Sequence, residues 1–168
     1  DIDAMERLWA SRDVSRVHDQ TRLARASIGP TGVLTRLQDE RTWSVVELSG
    51  ADSLVTAPVA DYGQSRAETD DAIAAFRDTL AHEDETVTRA YEPALDNLAD
   101  LAAIRAAIDG NTAPRGVEQI PFANDVYTRY SELIQPFFEA TNRVALAVDD
   151  AELRQWTTLV GRSAQQVE

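Results

Sequence analysis

The sequence contains no cysteine and no lysine, and both absences limit the chemistry that the chain can offer. Without cysteine there is no disulfide framework, no thiolate metal site and no thiol nucleophile. Because lysine is missing, all 16 basic residues are arginine. Each fixed positive charge is therefore a planar group of five donors, which can hold a planar oxyanion through two hydrogen bonds.

Long apolar runs and positive charge are also scarce. No run of 18 apolar residues appears, and no charged-then-apolar signal segment opens the sequence. The formal net charge of −13 argues against nucleic-acid binding, because most of the surface would repel a polyanion. With 168 residues and 43% apolar residues, the chain can form one domain with a sizeable core. We expect a single domain over residues 1–168, cut from a larger protein.

Catalytic and metal-binding patterns are few. His18 and His82 lie far apart in the sequence, and neither has a partner at a metal-ligand spacing, so we interpret both as surface residues. No glycine-rich phosphate loop and no nucleophile elbow is present. Acidic runs such as 82–85 and 149–150 are typical of solvated helix faces. We therefore expect no enzymatic activity, no cofactor and no metal site.

Apolar residues recur at three- and four-residue spacings along most of the chain, and no segment is typical of a strand. Pro93 is favoured in the first turn of a helix, which predicts a helix start near Glu92. Asp149 and Asp150 predict the cap of a last helix, and Pro136 predicts a kink. The predicted helices cover about 3–27, 31–49, 59–89 with room for a break, 92–109, 122–148 and 151 onward, with loops at 51–58 and 112–121.

Short connections between such helices predict an all-α fold, an antiparallel bundle of long helices with four-helix-bundle packing. Two arginines lie on the apolar stripes of these helices rather than opposite them. Arg41 continues the stripe of the second helix and Arg66 that of the third, and a hydroxyl follows each arginine by three residues, at Ser44 and Thr69. Arg105 is a weaker third case, because Ile104 competes for the inward position.

A guanidinium drawn into a bundle needs an anion, because an unpaired one costs several kcal/mol. In one interpretation the anion is internal, and each arginine bonds a carboxylate or reaches water; the candidates are Glu40, Glu47, Asp70 and Asp71. In the other, Arg41 and Arg66 converge on a small anion between the helices, with help from Ser44 and Thr69. Nitrate or nitrite would suit such a site, because both are flat and singly charged.

Three segments also resemble a known family: LQDER at 37–41 followed by Ser44, QSRAETD at 64–70 leading to the Phe76-Arg77 pair, and IRAAID at 104–109. A tyrosine-bearing helix with Tyr127 and Tyr130 follows. In order and spacing, from about Leu23 to the end, these segments resemble the nitrate- and nitrite-sensing domain of bacterial receptors. That domain occurs notably in the extracytoplasmic part of actinobacterial sensor histidine kinases.

The resemblance implies an all-helical, non-catalytic input domain that binds nitrate or nitrite between helices and passes a conformational change to a kinase output module. It assigns anion binding to Arg41 and Arg66, and Arg77 and Arg105 are secondary candidates. It also implies an extracytoplasmic position in a bacterial membrane protein, linked transmembrane and output domains, and compatibility with a homodimer. The alternative is a helical interaction or dimerisation module without a small-molecule ligand.

Overall fold

The computed structural model describes residues 18–50 and 62–164, and side chains as far as residue 146. Within these ranges the chain forms helices and no strand, which confirms the predicted all-α bundle. Residues 18–28 are helical and are called α1. A short 3-10 turn at Val117–Gln119 precedes the last helix. The other helices are α2 (Val33–Ser49), α3 (Tyr62–Leu80), α4 (Glu85–Asn97), α5 (Ala99–Asp109) and α6 (Ile120–Ala164).

Four columns of helix surround one core. α2 packs against α3 and against α6, while α6 also packs against α4 and α5, which form the fourth column together. α2 and α3 run antiparallel. Thr69 of α3 donates to the carbonyl of Arg36 near the start of α2, and Tyr62 at the start of α3 lies beside Ser44 farther along α2. The middle of α2 lies against the first third of α6, where Arg41 meets Ser131 and Glu40 meets Tyr130.

An aromatic cluster ties three of the columns together. Phe76 of α3 meets Tyr91 of α4 and Phe137 of α6 edge to face, with ring centroids 5.0 and 5.6 Å apart. All three rings are buried, and such aromatic pairs contribute about 0.5–1.5 kcal/mol each beyond the area that they bury. This cluster packs the bundle together on the C-terminal side of Tyr130 in α6.

Two glycines fix the ends of α2. A side chain at Gly32 would place its Cβ 2.7 Å from the carbonyl oxygen of Ser27 and 2.8 Å from the amide of Gly29, so this tight turn needs glycine. Gly50 ends α2 with a φ of 67°, and its amide bonds the carbonyl of Val46. Glycine adopts this left-handed conformation without steric cost. The predicted end at Ser49 agrees with the structure, whereas the helix begins at Val33, two residues later than predicted.

The predicted helix start near Glu92 is wrong. α4 begins at Glu85, where the side chain of Asp84 accepts a hydrogen bond from the amide of Val87. Such an N-cap contributes about 1 kcal/mol, and Pro93 lies near the other end of the helix, where its missing amide removes one hydrogen bond. The column formed by α4 and α5 is interrupted at Leu98, between the two helices. The predicted long third helix, 59–89, is divided at residues 81–84.

The predicted helix cap at Asp149 and Asp150 is also wrong, because α6 continues through both positions to Ala164. Aspartate costs less than about 0.7 kcal/mol in a helix interior, too little to end a helix that has no glycine or proline nearby. The helix also begins two residues earlier than predicted, at Ile120, with Pro121 in its first turn.

The predicted helix start near residue 3 and the predicted loop at 51–58 lie outside the described residues. Across the part of the chain that is described, no helix combines the length and the apolar character that a membrane crossing requires.

Candidate functional site

Arg41 is a half-buried arginine at the seam between α2 and α6. Its guanidinium lies over the ring of Tyr127, with the Cζ atom 4.3 Å from the ring centroid. Its Nη1 atom donates to Ser131 over 3.0 Å, while its Nε atom is buried and has no hydrogen-bond partner. Among the described residues, no carboxylate forms an ion pair with Arg41. The seam therefore holds a positive charge for which the described part of the chain supplies no counterion.

Glu40, the residue before Arg41, points instead into the centre of the bundle and is fully buried. Arg105 of α5 binds its carboxylate through two parallel hydrogen bonds, Nε to Oε1 over 2.7 Å and Nη2 to Oε2 over 2.8 Å. The hydroxyl of Tyr130 donates to Oε1 over 2.7 Å. Three helices, α2, α5 and α6, thus meet at one carboxylate, and this fork-to-fork geometry is the strongest that arginine forms.

Arg105 has further partners on α3. Its Nη1 atom donates to Asp70 over 2.8 Å and its Nη2 atom to the carbonyl of Arg66 over 3.2 Å. Burial lowers the pKa of the Arg105 guanidinium, but the hydrogen bonds and charges of Glu40 and Asp70 more than offset it, so that the pKa ends above its usual value. Arg105 is therefore a saturated structural cation.

Arg66 also has an internal partner. Its Nη1 atom donates to Oδ2 of Asp109 over 2.9 Å, and its Nη2 atom lies 2.9 Å from Oδ1 in the same ion pair. The Nη2 atom donates to Tyr62 and to the carbonyl of Arg105. Its Cζ atom lies 4.1 Å from the centroid of the Tyr62 ring. The hydrogen bond from Arg66 holds the pKa of Asp109 below its usual value. Arg66 thus faces α5, whereas Arg41 faces α6.

The two predicted hydroxyl residues are both fully buried, but backbone carbonyls take up their donors. Ser44 donates to the carbonyl of Glu40 over 2.7 Å, and its oxygen lies 3.5 Å from the hydroxyl of Tyr130. Thr69 donates to the carbonyls of Ser65 and Arg36 over 2.9 and 3.1 Å. Among the described contacts, none joins Arg41 to Arg66.

The internal interpretation was made for Arg41 and Arg66, and among the described residues an ion pair is found for Arg66 but not for Arg41. Of the four candidates, Glu40 and Asp70 bind Arg105, while Glu47 binds Arg115. Asp109, which binds Arg66, was not among them. Arg77 is exposed in the last turn of α3.

Sequence reasoning missed the residues of α6 that complete these sites. The sequence places Tyr130 on the apolar stripe of a tyrosine-bearing helix but gives it no role in the site, and it gives no sign of Ser131. Ser131 lies 90 residues from Arg41 in the sequence, so helical spacing within one segment carries no signal of their contact. Tyr130 follows the apolar stripe of α6, which is the signal that its hydroxyl would reach the interior.

A cavity of about 270 Å³ lies at the end of the bundle near Asp109, and Arg41 is not part of its wall. Its wall carries charges of both signs, negative from Glu47 and Asp109 and positive from Arg115. No group of three or more potential metal ligands is found among the described side chains. The chemistry available at the seam is hydrogen bonding to an anion, and no proton-transfer pair accompanies it.

Comparison with known proteins supplies the family. The family model described as nitrate and nitrite sensing matches residues 32–160, which include the whole of α2 to α5 and most of α6. No curated protein and no solved structure shows a significant match to the chain. The match covers more than three quarters of the sequence and contains every residue of the seam and of the interior network. The chain belongs to the family of nitrate- and nitrite-sensing domains.

Proposed function

We propose that this domain is a non-catalytic sensor that binds nitrate or nitrite at Arg41, between α2 and α6. The observation that carries the proposal is the state of Arg41. It is a half-buried guanidinium over the ring of Tyr127, with a buried Nε atom that has no partner among the described residues. A buried donor left unsatisfied costs about 1–3 kcal/mol, and an oxyanion at this position would remove that cost. Family membership supplies the identity of the anion.

The proposal does not depend on Arg66 or on the hydroxyls of Ser44 and Thr69. One anion bridging Arg41 and Arg66 remains a prediction from the sequence, and so do the roles of Ser44, Thr69, Arg77 and Arg105. The Nε atoms of both arginines are buried without a described partner, and the geometry favours Arg41 as the anchor because Arg66 already has an ion pair with Asp109. For Arg66 to take part, the anion would have to compete with a carboxylate that is 57% exposed.

Binding at this seam would bias the packing of α2 against α6. The Nε atom is covered in the present arrangement, so an anion that reaches it has to move the two helices slightly apart. A ligand shifts a conformational equilibrium only by its differential affinity for the two states, typically about 1–3 kcal/mol. α6 spans 45 residues, about 68 Å of helix, and offers a rigid path away from the site.

The surroundings of the domain follow from the same proposal. We infer that it lies outside the cytoplasm in a bacterial membrane receptor, as one domain linked to transmembrane and output segments, with a histidine kinase as the output. A homodimer is compatible with this arrangement.

The rival function is a helical interaction module without a small ligand, and one observation favours it. Arg66 and Arg105 form internal ion pairs of the kind that a purely structural role requires. The rival does not explain Arg41, for which the described residues offer no carboxylate.

The test is a series of thermal unfolding curves in chloride buffer at constant ionic strength, with added nitrate, nitrite or sulfate. A ligand that binds only the native state at one hundred times its dissociation constant stabilises it by about 2.7 kcal/mol, which raises the melting temperature by several degrees. We expect this rise with nitrate or nitrite. Arg41→Lys keeps the charge but loses the planar fork, and we expect it to abolish the rise.

The matched control is Arg143→Lys, because Arg143 is an exposed arginine of α6 with a partner one turn away. It should respond to nitrate as the unchanged chain does. An equal response of the unchanged chain to all anions would favour the interaction module, whereas an intact nitrate response in Arg41→Lys would show that nitrate binds at a site other than Arg41.

A further inference from the structure

We infer that Ser131 is a positioning residue for the ligand site: it turns the Nε–Nη2 edge of Arg41 toward the anion, so that the site accepts planar oxyanions, carboxylates included, and rejects tetrahedral ones. This inference rests on the proposed function and adds the class of ligand and the residue that selects it. Neither Ser131 nor Tyr127 carries a positive charge, and both act only through Arg41.

The hydrogen-bond directions around Ser131 fix its role. Its hydroxyl donates to the carbonyl of Tyr127 over 2.7 Å, one turn earlier in α6. The single hydroxyl proton is thereby used, and the oxygen can only accept from the Nη1 atom of Arg41, over 3.0 Å. Ser131 is therefore an acceptor in a fixed position, which holds one of the two terminal nitrogens.

Tyr127 restricts the approach of a ligand in a second direction. Its ring lies against the guanidinium, with the Cζ atom 4.3 Å from the ring centroid, and closes that side of the group to an anion. With Nη1 bonded to Ser131, the adjacent donors Nε and Nη2 have no partner among the residues that the structure describes. They share one edge of the guanidinium and can bond two oxygens of one ligand side by side.

The interior of the same protein shows what fits such an edge. Arg105 uses the same two atoms, Nε and Nη2, to bind both oxygens of the Glu40 carboxylate. Nitrate, nitrite and formate present two oxygens in one plane as a carboxylate does. Sulfate and phosphate place two further oxygens out of that plane, where the Tyr127 ring stands on one side.

The test measures dissociation constants for nitrate, formate and sulfate by titration calorimetry on the 168-residue chain. Formate should compete with nitrate, and sulfate should not. Ser131→Ala should weaken nitrate binding about fivefold, the effect of one lost hydrogen bond, and should narrow the preference for nitrate over sulfate. Ser131→Thr, which keeps the hydroxyl, should restore both. Thr128→Ala is the matched control, because Thr128 bonds the carbonyl one turn earlier but not Arg41.

A second measurement separates the positioning of Arg41 from ligand binding. In nitrogen-15 spectra without nitrate, the Nη1 and Nη2 atoms of Arg41 should give distinct signals that merge in Ser131→Ala, because the bond to Ser131 slows rotation about Cζ–Nε. If the unchanged chain binds no nitrate, the proposed function fails whatever these signals show. If it binds nitrate but Ser131→Ala binds equally well, or sulfate competes as formate does, the inference is wrong and the proposed function stands.

Discussion

The centre of the bundle and the seam between α2 and α6 each hold an arginine, and the two arginines differ in the partners that surround them. In the centre, Arg105 is bonded to Glu40 and Asp70 and to a backbone carbonyl, and its side chain is 16% exposed. At the seam, Arg41 has one serine, one aromatic ring and a buried nitrogen without a partner among the described residues. The first arrangement leaves little for a ligand to gain, whereas the second leaves a donor that an external anion could satisfy.

The largest expected effect comes from breaking the central network. Glu40→Ala leaves the guanidinium of Arg105 largely buried beside the hydroxyl of Tyr130, with only the exposed Asp70 as an ionic partner. Removing one member of a buried ion pair typically costs about 3–5 kcal/mol, and we expect about 3 kcal/mol because Asp70 remains. Chemical denaturation monitored by circular dichroism measures this loss.

The control for Glu40→Ala is Asp39→Ala, the neighbouring residue. Asp39 pairs with Arg36 at the surface with a side chain that is 46% exposed, so its loss should cost less than about 1 kcal/mol. Equal losses for the two variants would mean that the central network contributes no more than a surface pair, and the contrast with the seam would disappear.

Periodicity along the sequence predicted the helical class, the end of α2 and the inward direction of Arg41 and Arg66. It failed where a local signal competed with a stronger one, as at Pro93, where the cap at Asp84 decides the helix start. The choice of partners could not be predicted, because it depends on contacts between residues 65 or 90 positions apart, such as Glu40 with Arg105 and with Tyr130. Helical spacing indicates which side chains point inward but not which of them meet.

The next effect is the difference in stability loss between the two arginines when each is replaced by methionine. Arg41→Met should lower the free energy of unfolding by about 1 kcal/mol, because it removes a cation–π contact and one hydrogen bond but also a buried donor without a partner. Arg105→Met should cost about 3 kcal/mol or more, because it leaves the Glu40 carboxylate buried without a counterion.

Methionine keeps most of the volume of the arginine stem, so the two losses report mainly on polar partners. The same denaturation curves measure both variants. A loss for Arg41→Met as large as that for Arg105→Met would mean that the seam arginine has a structural role equal to that of the central one, and the case for an external anion would weaken.

The smallest effect concerns the pH dependence of the Arg66–Asp109 pair, which lies between these extremes. The hydrogen bond from Arg66 lowers the pKa of Asp109 in the folded state. A lowered carboxyl pKa adds stability that is complete above the unfolded value, about 3.9, and disappears as the pH falls through the folded value. Stability should therefore decline below about pH 5, and Asp109→Asn should decline less steeply there while being slightly less stable near neutral pH.

Because the side chain of Asp109 is 57% exposed, solvent screens the pair, and the difference near neutral pH should stay below about 1 kcal/mol. Unfolding curves between pH 3 and 7 for both proteins test this expectation. Parallel curves would show that Arg66 gains little from Asp109 in solution. Its two terminal nitrogens would then be open to an anion, and the bridging of Arg41 and Arg66 predicted from the sequence would become the stronger model of the site.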